Sequence, residues 1–233
     1  MSDIFGNSSK SNSASGNSPV REAVGIDDLA VYIPRLYLPL EGEFSRQRDI
    51  DPGKLIRGIG IERMAVPDAH EDAATMAAMS LLELMRRSDL RPEDIGKIYL
   101  GTESAVDEAK AMGTYVIGML EKIYGPGSFQ HCTTVEFKSA CIGTTLALES
   151  ISYWVGADDD DRIGVVIASD VAKYPLRSSG EYTQGAGSVS LLVKRNPRIA
   201  ALEQVYGCFT RDENDFFRPL GCLTAMVNGK HSN

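Results

Sequence analysis

Residues 133–169, TTVEFKSACIGTTLALESISYWVGADDDDRIGVVIAS, decide the fold. The β-prone run TTVEFK at 133–138 turns through small residues into a helix from Cys141 to about Val155. An acidic loop, Asp158 to Asp161, then leads into the β-rich run IGVVIAS at 163–169. Strand, helix, strand in this order implies a right-handed crossover between parallel strands.

Working outward, the alternation continues. A helix rich in Ala, Met and Leu is predicted from about Asp72 to Arg87, after the break at Pro67–His70. Asp89–Gly96 connects it to the short strand KIYLGT at 97–102. A helix from about Ala105 to Tyr124 follows, opened by Ser104 three residues before Asp107 in the manner of a capping box and closed by Gly125, Pro126 and Gly127. GIDDLAVYIP at 25–34 and GSVSLLVKR at 187–195 add further strands, and the chain shows no internal repeat. The pattern predicts an α/β fold with a mostly parallel sheet between helices. Residues 1–20, crowded with Ser, Asn and Gly, cannot bury enough apolar surface to offset their ordering entropy. They are expected to form a disordered tail ahead of a folded region at 21–233.

The 233 residues carry 24 Lys and Arg against 32 Asp and Glu, a formal charge of −8, with 43% hydrophobic content. That is the composition of a soluble globular protein, and its sign disfavours nucleic acid and anionic membranes as partners. No apolar run approaches the roughly 18–20 residues needed to span a bilayer, and the N-terminus has no signal-peptide pattern, so the expected address is the cytosol. Cys132, Cys141, Cys208 and Cys222 are widely spaced, and only His70, His131 and His231 could join them, so no zinc site is expected. The cysteines are expected to be reduced, and either buried or chemically used.

Cys141 stands where a strand turns into a helix, among Ser139, Ala140, Gly143 and Thr144. A thiol at a first helical turn meets the positive end of the dipole, which favours its thiolate and suits a nucleophile. Read locally, a buried structural cysteine is an equal alternative. Glu103, at the carboxyl end of KIYLGT and directly before a helix, lies where open sheets place their ligands and could act as an acid/base. A capping or solvated glutamate is the plainer local reading. GIGIER at 58–63 has Arg63 where a dinucleotide fingerprint needs its third glycine, which rejects a nicotinamide site. Gly180, Gly185 and Gly187 read as turn residues, and Asp158–Asp161 as a solvated charge run.

Taken together, FKSAC, GTESAVDEAKA, SDVAKY, GEYTQGAGSV and NDFFRPLG resemble the hydroxymethylglutaryl-CoA synthase family from about Val24 to the C-terminus. The TES and TQGAG pieces separate the chain from ketoacyl synthases III and thiolases. The resemblance implies a thiolase-like layered fold, of which this chain carries the first βαβαβ half and the start of the second. It implies an acyltransferase of the mevalonate route to isoprenoids, joining acetyl-CoA to acetoacetyl-CoA without a metal or redox cofactor, in a subunit that dimerises. Residue by residue, Cys141 matches the acyl-accepting nucleophile and Glu103 the acid/base. Tyr174, Asp170 and Asp215 match supporting positions, and the resemblance carries no CoA-binding residue across.

Two departures follow. Ile142 stands after the nucleophile where the family usually has tyrosine. The sequence also ends at Asn233, about half-way along the family's length and ahead of its catalytic histidine, which none of the three histidines matches. A complementing C-terminal half is therefore an expected partner, alongside a homodimer. Two alternatives stand beside the CoA-dependent reading. One is an acyl-carrier-protein-dependent polyketide β-branching synthase, and the other a non-catalytic thiolase-fold partner subunit.

Overall fold

In the computed structural model, which describes residues 22–203, 205–227 and 230–231, the chain opens on β1 (Val24–Tyr32). A ribbon of β2 (Leu36–Pro39) and β3 (Arg63–Val66) follows, with α1 (Glu43–Arg48) between its strands. Then come α2 (Ala73–Arg87), β4 (Ile95–Gly101), α3 (Met112–Tyr124), β5 (Thr133–Phe137) and α4 (Gly143–Ala157). The chain continues through β6 (Ile163–Ala172), β7 (Gly185–Arg195) and the two-residue β8 (Ala200–Ala201). The tail expected at 1–20 lies outside the described residues.

Six strands form one sheet in the order β5-β4-β6-β7-β1-β8. β4 pairs parallel with β5 and β6, whereas β7 is antiparallel to both β6 and β1. The sheet is thus mixed, which corrects the expectation of a mostly parallel one. Residues 173–184 hold only a short 3-10 turn, Glu181–Thr183, so β7 folds straight back along β6 instead of crossing over through a helix. Hydrophobic periodicity marks a strand without marking its direction.

The parallel part obeys the crossover rule. From β4 the chain reaches β5 through α3 on one face, then returns past β4 to β6 through α4 on the other. Strand alternation separates the two faces. Ile98, Leu100, Val165, Ile167 and Leu192 join Leu81, Leu84, Met112 and Val116 in a core beneath α2 and α3. Their neighbours Val166 and Val193 instead join Ala147, Ile151 and Val155 beneath α4. A small satellite core of Leu40, Phe44, Leu55 and Met64 secures the β2–β3 ribbon to α1.

Helix α2 begins where the sequence places it. Asp72 Oδ1 accepts from the Thr75 N–H at 2.7 Å, and Thr75 Oγ1 accepts from the Asp72 N–H at 2.7 Å, a reciprocal cap. Helix α3 does not: it starts at Met112, not near Ala105. Ser104 and Asp107 form no box. Asp107 Oδ1 accepts from the Ala109 and Lys110 N–H groups, both at 2.8 Å, and its Oδ2 from Tyr115 Oη at 2.9 Å, holding 102–111 as an irregular loop. The acidic run is also only partly solvated. Asp158 is buried, with Arg162 donating to it at 2.7 Å, while Asp160 and Asp161 remain exposed.

Candidate active site

Parallel β4, β5 and β6 present their carboxyl ends at one edge of the sheet, where open sheets collect reacting groups. Two glycines let the backbones close up there. A Cβ on Gly101, the last residue of β4, would lie 2.6 Å from the Gly143 carbonyl carbon, and one on Gly143 would lie 2.7 Å from the Phe137 carbonyl oxygen. The first turn of α4 therefore sits directly against the end of β4. Just ahead of it, Ala140 adopts φ 46°, a left-handed conformation that costs a β-carbon residue about 1–3 kcal/mol. That turn aims Cys141 back across the end of β4.

The result is a contact that neither residue's neighbours in sequence could reveal. Cys141 Sγ donates to Glu103 Oε1 at 3.1 Å. Cys141 is exposed, and it sits in the 3-10 turn Ala140–Ile142 ahead of α4, not in the helix proper. Its thiol titrates above the ordinary cysteine value: the hydrogen bond to Glu103 raises it most, followed by burial and the charges of Glu103 and Asp170. This corrects the expectation that the helix end would favour the thiolate. The neighbouring carboxylate is what raises the thiol most. By contrast, burial pushes the Cys132 thiol up to about 12.

Asp170, at the end of β6, ties the loop that carries Glu103. Its Oδ1 accepts from the Glu103 N–H at 2.7 Å, Thr102 Oγ1 at 2.9 Å, Ser104 Oγ at 2.8 Å and the Ser104 N–H at 3.1 Å. Ser104 Oγ in turn accepts from the Val171 N–H at 2.8 Å. Tyr174 is half-buried, and burial together with the charges of Glu103 and Cys141 raises its phenol above the usual tyrosine value. Asp215 is exposed; its Oδ1 accepts from the Phe216 N–H at 2.8 Å, and it does not line the cleft. Ile142 is 56% exposed.

Above Glu103 opens a cavity of about 590 Å³. Lys138, Ala140 and Lys173 line one part of it, and the segment Phe216–Leu223 crosses another. Arg218 in that segment donates to the Glu103 carbonyl. Arg218 was invisible as a site residue in the sequence, because its partner lies 115 positions away, and Asp107 reads locally as a helix start instead of a loop residue lining the cleft. Among the described residues no group of His, Cys, Asp and Glu gathers as metal ligands, and no helix is long and apolar enough to cross a membrane.

A family model described as hydroxymethylglutaryl-coenzyme A synthase N terminal matches residues 20–198. The chain belongs to the hydroxymethylglutaryl-CoA synthase family. The Haloferax volcanii hydroxymethylglutaryl-CoA synthase is 39% identical over 211 residues, which are 90% of this chain and 47% of that protein. The solved structure of MvaS in complex with 3-hydroxy-3-methylglutaryl coenzyme A superposes with a TM-score of 0.79 at 34% identity, covering 89% of this chain and 49% of that one. A hydroxymethylglutaryl synthase of curacin biosynthesis, solved with holo donor-ACP, is 26% identical with a TM-score of 0.65, over 76% of this chain and 42% of that one. The fold is accordingly the thiolase-like layered α/β fold of the family, and the chain spans about half the length of the curated relatives it matches.

Proposed function

We propose that this chain carries the acetyl-accepting site of a hydroxymethylglutaryl-CoA synthase-type condensation, with Cys141 as nucleophile and Glu103 as acid/base. The 3.1 Å contact between Sγ and Oε1 carries the reading. Glu103 takes the thiol proton as Sγ attacks the acetyl-CoA carbonyl; the carbon–sulfur bond to CoA breaks, and CoA leaves as the thiol with that proton. The acetyl methyl then lies two bonds from Sγ, within reach of the same carboxylate. Once deprotonated, that carbon attacks the ketone of acetoacetyl-CoA, whose oxygen takes up a proton. Water finally cleaves the cysteine thioester, releasing a carboxylate and restoring the thiol. No electrons are gained or lost, so the proposed sequence calls for no redox cofactor, and none of its steps is routed through a metal.

In this reading Asp170 holds the Glu103 peptide, Tyr174 stands near enough for its phenol to feel Glu103 and Cys141, and Asp215 shapes the segment that crosses the cleft. This reading assigns the acid that protonates the ketone oxygen, and the rest of the CoA surface, to no residue of this chain, which spans about half the length of its relatives. An acyl-carrier-protein thioester is the second reading, supported by the likeness to the curacin synthase; the higher identity to the Haloferax enzyme favours CoA.

Incubation with acetyl-CoA followed by peptide mapping tests the first step. One acetyl group is expected on the Cys141 peptide; acetylation at Cys132, Cys208 or Cys222 instead would overturn the assignment. Product formation is expected only when the complementing half is supplied, because attack on the ketone needs its oxygen held and polarised.

A further inference from the structure

Glu103 lies beyond the end of β4 and nine residues before α3, so neither a strand nor a helix holds its peptide groups. Both are nonetheless gripped by side chains distant in sequence. Its N–H is held by Asp170 at 2.7 Å, from the end of β6. Its carbonyl accepts from Arg218, on the segment that crosses the cleft. That segment is itself anchored at several points. Phe217 and Met226 exchange backbone hydrogen bonds at 3.2 and 2.8 Å, and the Phe216 ring lies 6.3 Å from the Tyr174 ring. Phe216 has φ 47°, and Asp215 Oδ1 caps its N–H at 2.8 Å. Strain of this kind persists only where the surroundings enforce it, and here it turns the chain two residues before Arg218.

From this geometry we propose that Arg218 is a positioning residue: by holding the Glu103 carbonyl opposite the Asp170 grip, it fixes the Glu103 carboxylate against Cys141. The inference rests on the reading of Cys141 and Glu103 as the catalytic pair. Arg218 acts through Glu103 and takes no part in proton transfer.

The consequence is read on the thiol. Glu103 is the main cause of the raised Cys141 thiol, so freeing its peptide lets the carboxylate drift and the thiol fall back. The other charged or titratable groups around the cleft are Glu71 and Asp72 ahead of α2, Asp107 and Glu108 in the loop, Lys138, Asp170, Lys173 and Tyr174, and Cys222 on the crossing segment. They are common to every variant below, so their fields cancel in the comparison.

The experiment follows the rate of Cys141 alkylation by iodoacetamide against pH, with mapping of the Cys141 peptide, in the full 233-residue chain and three variants. Glu103→Gln should lower the midpoint by about one unit, the scale of a single adjacent carboxylate. Arg218→Met, which keeps the stem and removes the donor, should lower it by about half a unit. Arg218→Lys should return it towards the parent value. Arg218 is exposed, so its variants should melt with the parent chain and the shift cannot be assigned to unfolding. If Arg218→Met leaves the midpoint unmoved while Glu103→Gln lowers it, the positioning role is wrong and the catalytic pair stands. If Arg218→Met raises the midpoint, the guanidinium acts on the thiol directly, and the proposal is overturned. Equal shifts for Arg218→Met and Arg218→Lys would sink the claim that donation to the carbonyl is what matters. If Glu103→Gln itself moves nothing, the pair reading falls, and this inference with it.

Discussion

Helices α2 and α4 pack on opposite faces of one sheet, are the same length, and are buried very differently. Ten residues of α2 are buried, and charged residues such as Glu83 and Arg86 lie on its solvent side. Only five residues of α4 are buried; Leu148 and Trp154 pack partly buried against the core beneath it, while Tyr153 is exposed. The core under α2 and α3 contains nineteen buried residues and the one under α4 six, so stability resides mainly on the first face. Cys141, the proposed nucleophile, is just ahead of α4, on the other. The difference teaches that, among the described residues, the packing that stabilises the sheet and the Cys141–Glu103 contact lie on different faces, with the thiol at the margin of the less covered one.

The sharpest way to break that division is to remove the thiol. Cys141→Ala should abolish acetyl transfer, a loss of at least about 10³-fold, because no neighbouring group replaces the nucleophile. Its melting temperature should stay that of the parent chain, since Cys141 is exposed. A large fall in melting temperature would mean that the turn at Ala140–Ile142 is structural.

The covered face should behave in the opposite way. Leu81, fully buried in α2, should cost about 2–5 kcal/mol when cut to alanine, through lost burial and the cavity left behind. The 3.1 Å contact at the other face should survive, so Cys141 in the fraction still folded should alkylate with the parent's pH midpoint. Chemical denaturation reads the first effect and peptide mapping the second. A shifted midpoint would show that the two faces are coupled through the sheet.

What was legible in the sequence divides along the same physical line. Features set by local chemistry could be read: the Asp72 cap of α2, the β-branched runs of β4, β5 and β6, and the small-residue turn around Cys141. Features set by distant partners could not. Ser104 and Asp107 imitate a helix start, but Asp170, more than sixty residues on, claims Ser104, and α3 waits until Met112. Ser188 and Ser190 look like solvent positions in GSVSLLVKR and are buried, hydrogen-bonded to Ser80 at 2.8 and 2.7 Å. Cys141 and Glu103 were separately nameable from residue type, position and resemblance, whereas their contact, and with it the direction in which the thiol shifts, belongs to the packing of α4 on β4.

A third, smaller effect is expected at the far end of the covered face. Asp27 sits at a bulge in β1 and is buried; Arg198 donates to it at 2.8 Å, and Lys194 lies 3.4 Å away. Burial alone would raise its pKa, but the hydrogen bonds from Arg198 and the charge of Lys194 outweigh it, and the net displacement is downward. A carboxylate lowered on folding stabilises the protein above its unfolded pKa, and that contribution is lost as pH falls through the folded value. Asp27→Asn should therefore cost about 1–2 kcal/mol near neutrality, with two partners still present but uncharged contact in place of an ion pair. The difference from the parent should shrink in acid, below the ordinary aspartate range. A cost that does not change with pH would mean that the side chain matters for its shape and not its charge.

The smallest expected effect tests the open face itself. Tyr153 projects from α4 with 49% of its surface exposed, and its ring meets Tyr206 at 5.8 Å. Tyr153→Ser removes mostly solvated area, and the stability of the 233-residue chain should change by no more than about 0.5 kcal/mol. The same substitution should then weaken association with a supplied complementing half, because an aromatic at the centre of a buried face is the kind of residue that carries binding energy. The two measurements bind each other. A loss of more than about 2 kcal/mol in the chain alone is the size expected for a buried side chain and would show that α4 is already covered, removing the reason to expect a second layer there. A neutral substitution with undiminished association would place the complementing surface elsewhere, and the apolar outer side of α4 would need another explanation.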